Sequence, residues 1–334
     1  MRLSVLDQSP ISKGETAQKA LENTLELAQI TEKLGYHRYW VAEHHNTNGL
    51  ASSSPELLVG RVASVTKNIR VGSGGVLLPH YSPLKVAENF KMLEAMFPGR
   101  IDLGLGRSPG GGKKTRAALT DGYNKPLSSF SRQVKEVRQF LTGSIPKEHE
   151  YFGVSAKPDT PSNPQMWTLG LTERGARHAA VNGTGFTFGH FINPEHADET
   201  LAVYREKFKA SDHLKEPAVN ACIFVVCGET DEEAEELAQS QDMWLLQVVK
   251  GLDTRVPSIE DVKEHSFSLK ESEQIEKNRK RCLIGSPSTV YKQLIELEER
   301  YESDEFLIIT NIFSFKDKLR SYQLLADYVK EQES

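Results

Sequence analysis

Short apolar runs rich in branched or aromatic residues recur eight times along 334 residues, and each is followed by a segment of helical periodicity; this alternation predicts an α/β fold of the (β/α)8, or TIM, barrel type. At roughly 150 residues per domain the length allows two domains, but one barrel is routinely this long. An open doubly wound sheet is the competing architecture. No switch point and no composition change marks a second domain, so residues 1–334 are expected to form one barrel domain. The first strand is read at 3–6, with a helix over 15–34 in which Ala20, Leu21, Thr24, Leu25, Leu27, Ala28 and Leu34 recur near the 3.6 spacing and Gly35 stands just past the end. A second unit has a strand at 39–42 and a helix at 55–65. The third has a strand at 69–78, then a helix opened by Ser82 and Pro83 and stopped before Pro98 and Gly99. Strands follow at 101–105, 166–169, 185–188, 221–226 and 305–309, with helices at 127–141, 173–181, 194–209, 231–250, 287–301 and 315–330. Two connections are long, 106–126 after the fourth strand and 251–280 after the seventh; such insertions are usually lids or disordered.

Composition narrows the function. The 41 basic and 46 acidic residues give a net charge of −5 with no long run of one sign, which argues against nucleic acid as a partner. No apolar stretch approaches the ~18 to 20 residues that span a bilayer, so no membrane is expected. The start MRLSVLDQSP lacks an apolar core followed by a small-residue cleavage site. Cys222, Cys227 and Cys282 form an odd set without C-x-x-C spacing, as reduced thiols of a cytoplasmic protein would.

In a barrel, chemistry sits where the strands end. The first strand exits at Asp7-Gln8-Ser9-Pro10 and the second at Glu43-His44-His45-Asn46. Adjacent histidines on an extended segment point to opposite sides, and no metal-binding spacing completes a site, so no metal is expected. A hydrogen-bonded structural pair is the plain reading of the histidines; their clustering with Glu43 favours a functional role for at least one. The third exit, Ser73-Gly74-Gly75-Val76, has two glycines inside a strand pattern, which implies a bulge, a strained peptide or a close approach of backbone to a flat ligand. The fourth runs from Gly104 through Arg107 to Thr115. Pro109 occupies the last glycine position of G-x-G-x-x-G, and a triphosphate loop would need Gly at Arg107 and Ser or Thr at Lys114. What survives is Arg107, shaped for a phosphate monoester or for a salt bridge. The fifth exit, Gly170 to Gly175, opens a helix, so Thr172 and Gly175 could cradle the same phosphate, or Thr172 could simply cap.

The segments LSVLDQSPI, WVAEHHN, ASSSPELLVGRVA, VGSGGVLLPHYSPLKVAENF, PGRIDLGLGRSPG and LIGSPSTV, in that order, resemble the bacterial luciferase-like flavin monooxygenases, most closely the single-chain "luciferase family oxidoreductase" group, alkanal monooxygenase-like. The resemblance implies a cytoplasmic homodimer of TIM barrels. It implies that reduced FMN, supplied by a separate flavin reductase, and O2 oxygenate an aldehyde or other small organic substrate through a flavin C4a-(hydro)peroxide. Position by position, Gly74-Gly75 matches the place where the family has a non-prolyl cis peptide under the flavin ring, Ser73 beside it is counted with the cofactor site, and Arg107 matches the family's phosphate-binding arginine. The phosphate loop aligns with Leu171, Thr172 and Gly175; luciferases carry polar side chains at the positions of Leu171 and Gly175, so contact there would come from backbone N–H groups and Thr172. His44 matches the histidine used in acid/base work, with an ordinary pKa near 6.5, and Glu43 is its neighbouring carboxylate. His190 falls where the family packs a side chain against the ring. Gly106 stands where luciferases have a reactive cysteine, and 251–280 is a short counterpart of their mobile loop, so strong light emission is not expected. Two rival readings share the barrel: a deazaflavin- or nicotinamide-linked oxidoreductase, and a non-catalytic flavin-binding protein.

Overall fold

The computed structural model describes residues 1–123 and 125–333. Its strands are β1 (Arg2–Asp7), β2 (Arg38–Val41), β3 (Arg70–Leu77), β4 (Ile101–Gly106), β5 (Gln165–Gly170), β6 (Gly185–Phe188), β7 (Val219–Cys227), β8 (Cys282–Gly285) and β9 (Glu305–Ile309). All but β8 close a parallel barrel in chain order, β9 bridging β7 and β1. The eight strands expected from the sequence coincide with these eight to within two residues at either end. β8 was not expected; it pairs with the outer half of β7, from Phe224 to Cys227.

The alternation of side chains divides the core in two. Val5, Tyr39, Val71, Leu103 and Ile308 point outward and pack under the helices. Leu6, Trp40, Trp167, Cys222, Phe224 and Leu307 point inward and fill the barrel, with the Trp40 and Trp167 rings edge to face at 5.8 Å. Each helix ends where its chemistry requires. Thr16 Oγ1 accepts from the Lys19 N–H at the start of Ala17–Lys33, and Gly35 leaves that helix at φ +84°.

Of the two alternatives for the long connections, disorder is not what the structure shows: 106–126, of which Asn124 is outside the described residues, carries a helix at Lys113–Leu119, and 251–280 carries helices at Ile259–Glu264 and Leu269–Arg279. Both of the latter open with a reciprocal cap, Ser258 with Asp261 and Ser268 with Glu271. Among the described residues no helix is long and apolar enough to cross a membrane.

At the N-terminal mouth the barrel is sealed by charge. Asp102 accepts from Arg38 Nη1 (2.8 Å), Trp40 Nε1 (2.9 Å) and Arg70 Nε (2.9 Å), and Glu305 Oε1 accepts from Arg38 Nε (2.7 Å) and Ser4 Oγ (2.8 Å). Burial acts to lower the Arg38 pKa, but Asp102 and Glu305 hold it above its ordinary value.

Candidate active site

A cavity of about 800 Å3 occupies the C-terminal mouth, above the tryptophans. Glu43, His44, Gly74, Gly75, Arg107, Leu171, Thr172 and Gly175, separated widely in sequence, all line it. Ser73 and His190 do not. Ser73 is fully buried and its Oγ bridges the Gly104 carbonyl (2.9 Å) and N–H (3.1 Å), so it clamps β3 to β4. His190 lies outside the barrel, its Nδ1 2.8 Å from Tyr301 Oη. The turn after β6 presents Phe191 to the cavity instead, edge-on against Phe224 at 5.3 Å.

The β2 exit holds its acidic and basic groups by different means. Glu43 is saturated: it accepts from the Leu77 N–H (2.8 Å), Tyr81 Oη (2.6 Å) and His45 Nε2 (2.7 Å). Burial raises its pKa while these donors work the other way. Its placement ties the end of β2 to the backbone that follows Gly74 and Gly75, which makes it a positioning residue. His44, by contrast, has one side-chain partner, Gln8. Burial first, and His45 second, push its pKa down to about 4, so it is neutral at pH 7; the expected value near 6.5 ignored this enclosure. Its Nε2 faces Gln8 Nε2 across 3.4 Å. Asn311 Nδ2 donates to Gln8 Oε1 at 2.6 Å and so turns the Gln8 NH2 group toward His44, which leaves Nε2 as the imidazole lone pair. Gln8 was legible as a strand-end residue, but nothing local to it announces a partner 303 positions away.

The β3 exit is a backbone wall. The Gly74–Gly75 peptide is cis, and the β3–β4 register shifts between Ser73 and Val76. A Cβ at Gly75 would stand 2.6 Å from the backbone oxygen of Gly104, so no side chain fits there, and one at Gly74 would stand 2.4 Å from Leu6 Cδ1 and displace that side chain.

The β4 and β5 exits make a polar end. Among the described residues the half-buried Arg107 guanidinium has no hydrogen bond or ion pair, and the salt-bridge alternative raised by the sequence is not realised. Helix Glu173–Asn182 begins at Thr172, whose hydroxyl caps no N–H. Gly170 and Gly175 pack together so tightly that a Cβ on either would lie 3.1 Å from the other's Cα, which draws the helix start onto the end of β5. Arg107 and His178 of this helix line the same cavity, where burial first, and the positive charge of Arg107 second, lower the His178 pKa. An unpaired cation and unfilled N–H groups at a helix start are the chemistry of an anion site. Leu6, Leu169, Phe224 and Trp244 make an apolar stretch of the wall. Cys222 also lines it, but burial raises its thiol pKa and keeps it protonated.

Comparison with known proteins finds relatives along nearly the whole chain. The pattern of the family described as luciferase-like monooxygenase matches residues 1–302. An uncharacterized Bacillus subtilis protein, YceB, is 54% identical over 98% of this chain and 99% of its own. The N-acetyl-S-alkylcysteine monooxygenase of Bacillus subtilis is 39% identical over 98% of each chain. Among solved structures, apo-MsnO8 superposes with a TM-score of 0.88 at 33% identity, covering 98% of both chains.

Proposed function

The chain belongs to the luciferase-like monooxygenase family, and from that premise we propose that it uses reduced FMN and O2 to oxygenate an aldehyde or another small organic substrate, a thioether among them. The observation that carries this reading is the meeting, in one cavity, of the side-chain-free wall at Gly74 and Gly75 with the unpaired Arg107 and the uncapped helix start at Thr172. These residues fit FMN: a flat ring needs a wall without side chains, and a phosphate monoester needs a guanidinium and free N–H groups. When bound, reduced FMN supplies the electron pair that activates O2.

The chain's own residues do the rest. Arg107, Thr172 and the N–H groups up to Gly175 would hold the phosphate. Gln8, fixed by Asn311, donates to His44 Nε2 and so keeps the ring's proton on Nδ1, from which the neutral ring can give it up. Glu43 holds the Leu77 N–H and with it the backbone beside the ring site. The apolar wall from Leu6 to Trp244 excludes water from the reacting groups. Reduced FMN would come from a separate reductase, and two chains would pair as a homodimer. Turnover of aldehydes and N-acetyl-S-alkylcysteines with photoreduced FMN under 18O2 tests the proposal. One labelled oxygen atom in the product supports it. Turnover without O2 would instead favour hydride transfer on the same barrel.

A further inference from the structure

Charge balance inside the cavity leaves one group over. Among the described lining residues there are two guanidinium groups, Arg107 and Arg281, and one carboxylate, Glu43, already committed to Leu77, Tyr81 and His45. Arg107 sits with the uncapped helix at the β4 and β5 exits. Arg281 stands elsewhere: it immediately precedes β8, which pairs with β7, and β5 and β6 separate β7 from β4. A phosphate held at Arg107 therefore does not serve Arg281.

Arg281 has only neutral partners. Its Nη1 donates to the Ile192 carbonyl (3.3 Å) and its Nη2 to Asn278 Oδ1 (2.6 Å), while its Nε is buried with no hydrogen-bond partner. Burial lowers its pKa, and no Asp or Glu appears among the causes to hold it up. Nη1 and Nη2 each keep one N–H beyond these bonds, and a partly buried cation with no acidic partner is costly unless an anion completes it. The surroundings say what kind of molecule carries that anion. Cys282, the next residue, is the register partner of Phe224, and Phe224 packs between Phe191 (5.3 Å) and Trp244 (6.1 Å) on the cavity wall.

We infer that Arg281 anchors an anionic group of the substrate, and that the substrate is an apolar organic molecule bearing a carboxylate. One guanidinium balances one monoanion, and its planar fork matches a carboxylate. The apolar remainder lies along Phe191, Phe224 and Trp244, which places the group to be oxidised between Arg281 and the Gly74–Gly75 wall. The inference rests on the reading of Arg107 as the cofactor's phosphate site.

The test is calorimetric titration of the full chain with octanoate and N-acetylmethionine, each against its carboxamide. Wild type is expected to prefer at least one acid by about ten- to a hundredfold. Arg281→Met, with Arg281→Gln as a second variant should the first not fold, abolishes that preference, and Arg281→Lys restores part of it. No preference in wild type, a preference that survives both neutral variants, or one lost in Arg107→Met alone would overturn the assignment. FMN titration of the same proteins reads the cofactor proposal separately: FMN binding is unchanged in Arg281→Met, and its absence in wild type would sink that proposal whatever the acids do.

Discussion

At the N-terminal mouth of the barrel Arg38, Arg70, Asp102 and Glu305 satisfy one another at 2.6 to 2.9 Å, whereas at the C-terminal mouth Arg107 and Arg281 have no carboxylate partner among the described residues. Both ends use arginine, and β4 carries Asp102 at one mouth and leads to Arg107 at the other. What differs is where the neutralising charge comes from. At the bottom it is in the chain, so the cluster acts on stability; at the top, in the proposed reading, it would come with the ligands, and the two cations would act on binding.

The sharpest way to break this contrast is to remove one charge from the sealed end. Asp102→Ala leaves Arg38 and Arg70 without their shared acceptor, and a loss of about 3 to 5 kcal/mol in urea unfolding is expected. FMN affinity in the folded fraction should stay as in wild type. At the open end the order of effects reverses. His44→Ala should leave urea unfolding and FMN binding nearly unchanged while lowering substrate oxygenation by about a hundredfold, read as labelled product per reduced FMN consumed.

Acid sharpens the contrast further. The pKa values of His44 and His190 are pushed down to about 4 by burial, so both stay neutral in the folded chain while the unfolded chain takes up protons near the ordinary 6.5. Stability contributed by these groups is therefore present in full above about pH 6.5 and lost as the pH falls toward about 4. His44→Gln should flatten that slope, measured as the urea midpoint against pH. A smaller effect is expected at the clamp between β3 and β4: Ser73→Ala removes two hydrogen bonds to Gly104 and should cost about 1 to 2 kcal/mol in the same assay.

Much of the architecture was legible because parallel strands buried on both faces read as unbroken apolar runs. The four-residue β8 was not, since CLIG is too short to stand out from a turn. The helices in 251–280 did leave a trace, the Ser-x-x-Asp and Ser-x-x-Glu spacings at Ser258 and Ser268. At the site, the rule that barrel chemistry gathers at strand exits named Glu43, His44, Gly74, Gly75, Arg107 and Thr172, all of which line the cavity. His190 came instead from the family resemblance, and neither route says which way a side chain turns once the strand has ended; Phe191, not His190, faces the cavity. Nor could the strand-exit rule show that Glu43 is saturated, or that His44 is neutral, because the groups that enclose them come from other strands. Arg281 lies just before a strand rather than after one, outside the reach of that rule.

The central claim, that the unpaired Arg107 is matched by a cofactor phosphate, is tested most directly by titrating FMN and riboflavin into wild type and Arg107→Ala. Wild type is expected to prefer FMN, and the variant to lose about ten- to a hundredfold in FMN affinity, with riboflavin affinity and urea unfolding little changed. Equal loss of FMN and riboflavin, or a variant that binds FMN as wild type does, would contradict the account.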